Sequence, residues 1–111
     1  ATPIHDPDKA IELVAGNRDL YVRLSKLFRP QAEECQKQIQ TALAEHNAKA
    51  LFEQFHTMKG SAAQIAASRM SEISGKLEQL AANEDLEAIS ALMPEFDQVL
   101  ALTLEELDAI E

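Results

Sequence analysis

Residues 17–46 read NRDLYVRLSKLFRPQAEECQKQIQTALAEH. Leu20, Leu24, Leu27, Phe28, Cys35, Ile39, Ala42 and Leu43 keep intervals of three and four through this stretch, the period of one helix face. The stripe holds its phase across Pro30, whose missing N–H and bulky ring cost roughly 3 kcal/mol in a helix interior. A kink or a break is expected between Phe28 and Pro30, and the shared phase favours a kink. A long helix with one continuous apolar face is stable only when other helices cover that face.

The flanking sequence supplies them. Asp6 followed by Pro7 opens a short helix that runs through Ile11 and Val14 to Gly16, a residue suited to the left-handed position after a helix end. Asn47 caps a helix with the face Leu51, Phe55, Met58, Ala62 and Ile65. Ser68 or Arg69 opens the next, with Met70, Ile73, Leu77 and Leu80. Asn83 is expected to cap the last, which carries Leu86, Ile89, Met93, Phe96, Leu100, Leu104 and Leu107, and Pro94 should kink it. Four long amphipathic helices joined by short connections run antiparallel in turn. The expected fold is all-α, an up-and-down four-helix bundle with an additional short N-terminal helix, forming one domain over residues 1–111.

Composition agrees. With 3 Gly, 4 Pro, no Trp and 5% aromatic residues, the turn-rich strands of a sandwich or barrel are missing. Nineteen acidic against 10 basic side chains, a net charge of -9, disfavour nucleic acid and anionic membranes and favour protein partners. The lone Cys35 lies on the buried stripe and reads as a small hydrophobe in a reduced, cytoplasmic protein. The apolar runs fall short of the ~20 residues that span a bilayer, and no basic-then-apolar leader opens the chain. The first residue is not Met, so the segment reads as part of something longer.

No Gly-rich phosphate loop, Cys-x-x-Cys pair or His-Glu-x-x-His run is present, and neither a cofactor nor a metal site is expected. His5 precedes the first helix and His46 ends a helix where a partly positive ring suits the dipole; both read as surface residues. His56 differs. At ~100° per residue it lies about 140° from the centre of its helix's apolar face and points outward. Ala63 and Gly60 fall within about 40° of it, so the ground one turn beyond the ring carries no large side chain. Gly60 costs about 1 kcal/mol relative to Ala in a helix interior, explained either by close approach of another surface or by packing against a neighbouring helix. Gly75, the other interior glycine, has no evident reason.

The run His56-Thr57-Met58-Lys59-Gly60-Ser61-Ala62-Ala63-Gln64-Ile65-Ala66 resembles the signature of histidine-containing phosphotransfer (HPt) domains: His, an apolar residue two positions on, Lys-Gly-Ser, small residues, then an apolar residue before Gly. Leu77-Glu78 resembles the family's apolar-acidic or apolar-amide pair on the following helix. Arg18-Asp19-Leu20-Tyr21 and Leu27-Phe28 resemble the start of its second helix, so the likeness covers nearly the whole chain. Ala66 departs from the usual Gly, which bears on helix packing there, and Met58 replaces Leu at similar volume.

The resemblance implies a monomeric phosphorelay intermediate without kinase activity of its own, the terminal module of a hybrid sensor kinase. In this reading His56 takes a phosphoryl group, on Nε2, from the aspartate of one response-regulator receiver domain and passes it to another. An imidazole with its ordinary pKa of ~6.5 is a good nucleophile near neutral pH. The metal ion such transfer uses would be held by the receiver. Lys59 would meet the phosphoryl oxygens, Gly60 would give clearance, and Glu78 would hold the other ring nitrogen. On its own wheel Glu78 lies about 120° from the apolar face, where a solvated acid fits as well; Lys59 also reads as a solvated lysine, and Ser61 and Gln64 as docking or local caps. Two other readings stand beside this one: the amino-terminal phosphotransfer domain of a chemotaxis-type kinase, and a non-catalytic helical adaptor. No Asp or Glu occurs from Gln54 through Ser71, whereas Lys59 and Arg69 do, so the surface around His56 is expected to be neutral to basic within an acidic chain.

Overall fold

The computed structural model describes residues 3–109, all of whose regular structure is helical: α1 (Pro7–Leu13), α2 (Arg18–Ala44), α3 (Ala48–Gln64), α4 (Ser68–Ala82) and α5 (Leu86–Asp108). At 1.5 Å per residue the 27 residues of α2 span about 40 Å, close to the 41 Å long axis of the molecule. α2 packs on α3, α3 on α4, α4 on α5 and α5 back on α2, closing a four-helix ring, while α1 lies against α2. Among the described residues no helix is long and apolar enough to cross a membrane.

Starts and stops follow local chemistry. Asp6, Asn17 and Asn47 each accept a hydrogen bond from the backbone N–H three residues on, at 3.0–3.1 Å. The fifth helix corrects the expectation: its cap is Asp85, which accepts from Ala88 N, whereas Asn83 ends α4. α4 itself begins without a side-chain cap, after Ala67. Neither proline breaks its helix, since α2 continues through Pro30 and α5 through Pro94.

All four helix ends before a connection share one device. Ala15, His46, Ala66 and Glu84 adopt left-handed backbone with φ of 53° to 56°. The next N–H in each case reaches back five residues to a carbonyl of the last turn: Gly16 to Ile11, Asn47 to Ala42, Ala67 to Ala62 and Asp85 to Leu80, at 2.9 Å. In the last three connections that same residue is the N-cap of the following helix, so three residues end one helix and begin the next. This accounts for Ala66, the position where the motif favours Gly: a left-handed residue with a Cβ costs roughly 1–2 kcal/mol, here alongside burial of its methyl with Ala10 and Tyr21.

The core follows the stripes. Phe28, Ile39, Leu51, Phe55, Leu77, Ile89 and Phe96 are at most 2% exposed, and burying each side chain contributes about 1.5–3 kcal/mol. Phe55 meets Phe96 edge-on at 5.7 Å and joins α3 to α5 across the bundle. Leu27 departs from its stripe and is 55% exposed. Val99 and Thr103 join the core of α5, the hydroxyl of Thr103 donating to the Val99 carbonyl at 2.7 Å. Cys35 is buried as expected; its thiol donates to the Gln54 carbonyl, and burial pushes its pKa up to about 11.

Candidate functional site

α3 and α4 share the most extensive helix pairing in the bundle, and the site lies on its outer edge. His56 projects from α3 with its side chain 67% exposed, and its Nδ1 lies 2.5 Å from Glu78 Oε2. Lys59, one turn along, donates from Nζ to the other oxygen, Oε1, at 2.6 Å. Both carboxylate oxygens are therefore occupied. Glu78 is only 4% exposed, so it is not the solvated surface acid that its own wheel allows, whereas the Lys59 side chain, 40% exposed, is ion-paired and still partly solvated. A helix in a closed ring meets two neighbours, and its buried arc is wider than its apolar stripe; Glu78 stands where that arc reaches α3.

The Lys59 ammonium holds the Glu78 carboxyl below its ordinary pKa, against burial, which acts the other way, and with the His56 bond adding to the Lys59 effect. Glu78 is thus ionised at neutral pH and can only accept hydrogen bonds. Nδ1 of His56 must then carry the proton that it donates. In the neutral ring this leaves the lone pair on Nε2, which makes no hydrogen bond among the described residues. The pairing also modifies the expected surface charge, because the cation at position 59 is neutralised by an acid from the neighbouring helix.

A Cβ on Gly60 would meet no heavy atom within 4 Å, so the residue does not serve helix packing and the surface beyond the imidazole is open. A Cβ on Gly75 would lie 3.4 Å from Lys59 Cδ. That is ordinary van der Waals contact with a flexible side chain, so the lysine stem passes beside Gly75 on its way to Glu78 without requiring a glycine there. Ser71 Oγ adds a bond to the Lys59 carbonyl at 3.2 Å.

Phe52 was not anticipated. Its ring stacks on that of His56 at 6.2 Å between centroids and 9° between planes, and its place four residues before the histidine was a legible signal. Ser61 lines the groove between α2 and α3 and Gln64 ends α3; neither is hydrogen-bonded to His56. Glu53 and His56 do stand at the Glu-x-x-His spacing used by di-iron bundles, yet among the described residues no group of three or more His, Cys, Asp or Glu could hold a metal ion.

The outer edge of the α3–α4 pair thus carries an outward histidine whose ring is held by a buried acid. The sequence matches the Hpt domain family over residues 23–110, and the chain belongs to that family. Its role is histidine phosphotransfer in two-component signalling. The fold is similar to that of histidine-containing phosphotransfer protein B (HptB) from Pseudomonas aeruginosa PAO1, with a TM-score of 0.87, 23% identity, and coverage of 97% of this chain and 94% of that one. No curated protein matches the sequence.

Proposed function

We propose that His56 is the residue that carries the phosphoryl group, on Nε2, between receiver domains. The observation that carries this is the Nδ1–Glu78 bond, which leaves the Nε2 lone pair on the exposed edge of α3 above the open ground at Gly60. Nε2 attacks the phosphorus of a receiver's aspartyl phosphate; the Nε2–P bond forms as the P–O bond to the aspartate breaks, and the aspartate leaves as a carboxylate. The ring gains positive charge, which Glu78 balances through the proton on Nδ1. Lys59 spends one of its three donors on Glu78 and has two for phosphoryl oxygens. Transfer to a second receiver runs the same steps in reverse.

The divalent metal belongs to the receiver, and Gly60 gives its loops room. The module acts as a monomer in the cytoplasm, consistent with its buried unpaired Cys35. Its receivers belong to a hybrid sensor kinase or to separate response regulators, which the neighbouring sequence in the parent gene would decide. The test is to incubate the protein with a radiolabelled phosphoreceiver and follow the label. The wild type takes it up and His56→Gln takes up none; equal labelling of the two overturns the assignment.

A further inference from the structure

One hydrogen bond does not fix a ring. Held by Glu78 only at Nδ1, the His56 imidazole could still tilt about that bond and swing Nε2 across the surface. The second restraint is Phe52. Its ring lies nearly parallel to the imidazole, 9° between planes and 6.2 Å between centroids, within the offset geometry aromatic pairs prefer. Helical side chains lean toward the N-terminus, so the imidazole leans onto residue 52 and away from residue 60. One neighbour is thus an aromatic wall, and the other is a glycine with nothing within 4 Å of its absent Cβ. Phe52 remains 37% exposed, a large apolar side chain left at the surface beside the ring on which it stacks.

We infer that Phe52 is a positioning residue for phosphoryl transfer: it fixes the imidazole plane and closes its N-terminal side, so that Nε2 is approached only over Gly60. The inference rests on His56 being the phosphorylated residue. It also differs from a docking role, in which Phe52 would touch the receiver and leave the ring alone.

The test removes the receiver. With phosphoramidate as donor, Nε2 forms its bond to phosphorus as the P–N bond of the protonated donor breaks and ammonia departs, with no protein docking involved. The variants Phe52→Leu, Phe52→Ala and Phe52→Tyr are compared with wild type for initial labelling rate, thermal midpoint and the ¹⁵N spectrum of the His56 ring. The expected result is labelling slowed about two- to tenfold in Phe52→Leu and Phe52→Ala, the range a stack of this kind supports. The ring nitrogens in those variants keep the Nδ1–H tautomer set by Glu78 while their signals shift and broaden as the ring plane loosens, and Phe52→Tyr restores both rate and spectrum. Wild-type labelling in Phe52→Leu, equal slowing in Phe52→Tyr, or a loss that tracks unfolding overturns the inference. So does a defect seen only with a receiver as donor, which makes Phe52 a docking contact. Failure of the wild type itself to take label at His56 instead overturns the assignment of the phosphorylated residue.

Discussion

Two histidines in this molecule have similar surroundings on paper. His5 is hydrogen-bonded through Nε2 to the Tyr21 hydroxyl at 2.9 Å and stacks on the same ring at 5.9 Å and 12°. His56 is hydrogen-bonded through Nδ1 to Glu78 and stacks on Phe52. Tyr21 is buried, with a pKa raised chiefly by that burial, so its hydroxyl stays protonated and donates to Nε2. Burial lowers the pKa of His5, against the nearby acids Glu106 and Asp6 and a hydrogen bond with the Ile65 backbone. The segment around it is pinned to the α3–α4 connection by the Asp6 N–H on the Ala66 carbonyl and the Arg69 N–H on the Pro3 carbonyl, both 3.1 Å. His5 is thus a fastening. A hydrogen bond and an aromatic neighbour do not mark a reactive histidine. What separates the two is which nitrogen is committed, and whether the partner carries a charge that answers the charge of a substituted ring.

Removing that charge tests the contrast most severely. Glu78→Ala is expected to slow label uptake from a phosphoreceiver by about 10- to 100-fold, the usual cost of losing a partner that orients a functional histidine. Glu78→Gln should recover part of the rate, since its amide oxygen still accepts from Nδ1. A wild-type rate in Glu78→Ala would remove the distinction drawn here.

On the other side, Tyr21→Phe removes the hydroxyl that holds His5 and should lower stability by about 0.5–1.5 kcal/mol in denaturant titration, with label uptake unchanged. A loss of uptake would mean that the N-terminal fastening reaches the site.

The smallest effect is in pH dependence. Both groups have folded-state pKa values below their ordinary ones, so in both cases the unfolded chain binds protons first and stability falls with acidification. The His5 contribution is whole above its unfolded value of ~6.5 and is lost as pH falls through the lowered folded value; that of Glu78 is whole above ~4.3 and is lost in the same sense below it. The thermal midpoint should therefore decline in two stages from pH 7.5 downward. His5→Gln should flatten the upper stage and Glu78→Gln the lower.

Much of this was legible in the sequence. Stripes at intervals of three and four gave the bundle, and Asp6, Asn17 and Asn47 were readable as caps because their oxygens serve the chain's own next turn. Asn83 misled because Asp85, two residues on, is equally able to cap, and the choice between them depends on Glu84 taking the left-handed position. At the site, the outward direction of His56 and the open ground at Gly60 follow from one helix alone. The burial of Glu78 and the course of the Lys59 stem past Gly75 do not, since each is set by a residue on the other helix of the pair. A helical wheel describes one rod, and these are properties of two.

The connection Ile65–Ala67 acts as a ruler. His56 stands nine residues before Ile65 and Glu78 eleven after Ala67, about 13 Å and 16 Å from the bend at 1.5 Å per residue, which is how two residues 22 apart in sequence come level. A connection of three residues whose last member already caps the next helix has no slack to absorb an error. One residue inserted within α4 between Ser68 and Glu78 would carry the carboxylate about 100° around its helix and away from the ring, leaving every side chain present and the site dismantled.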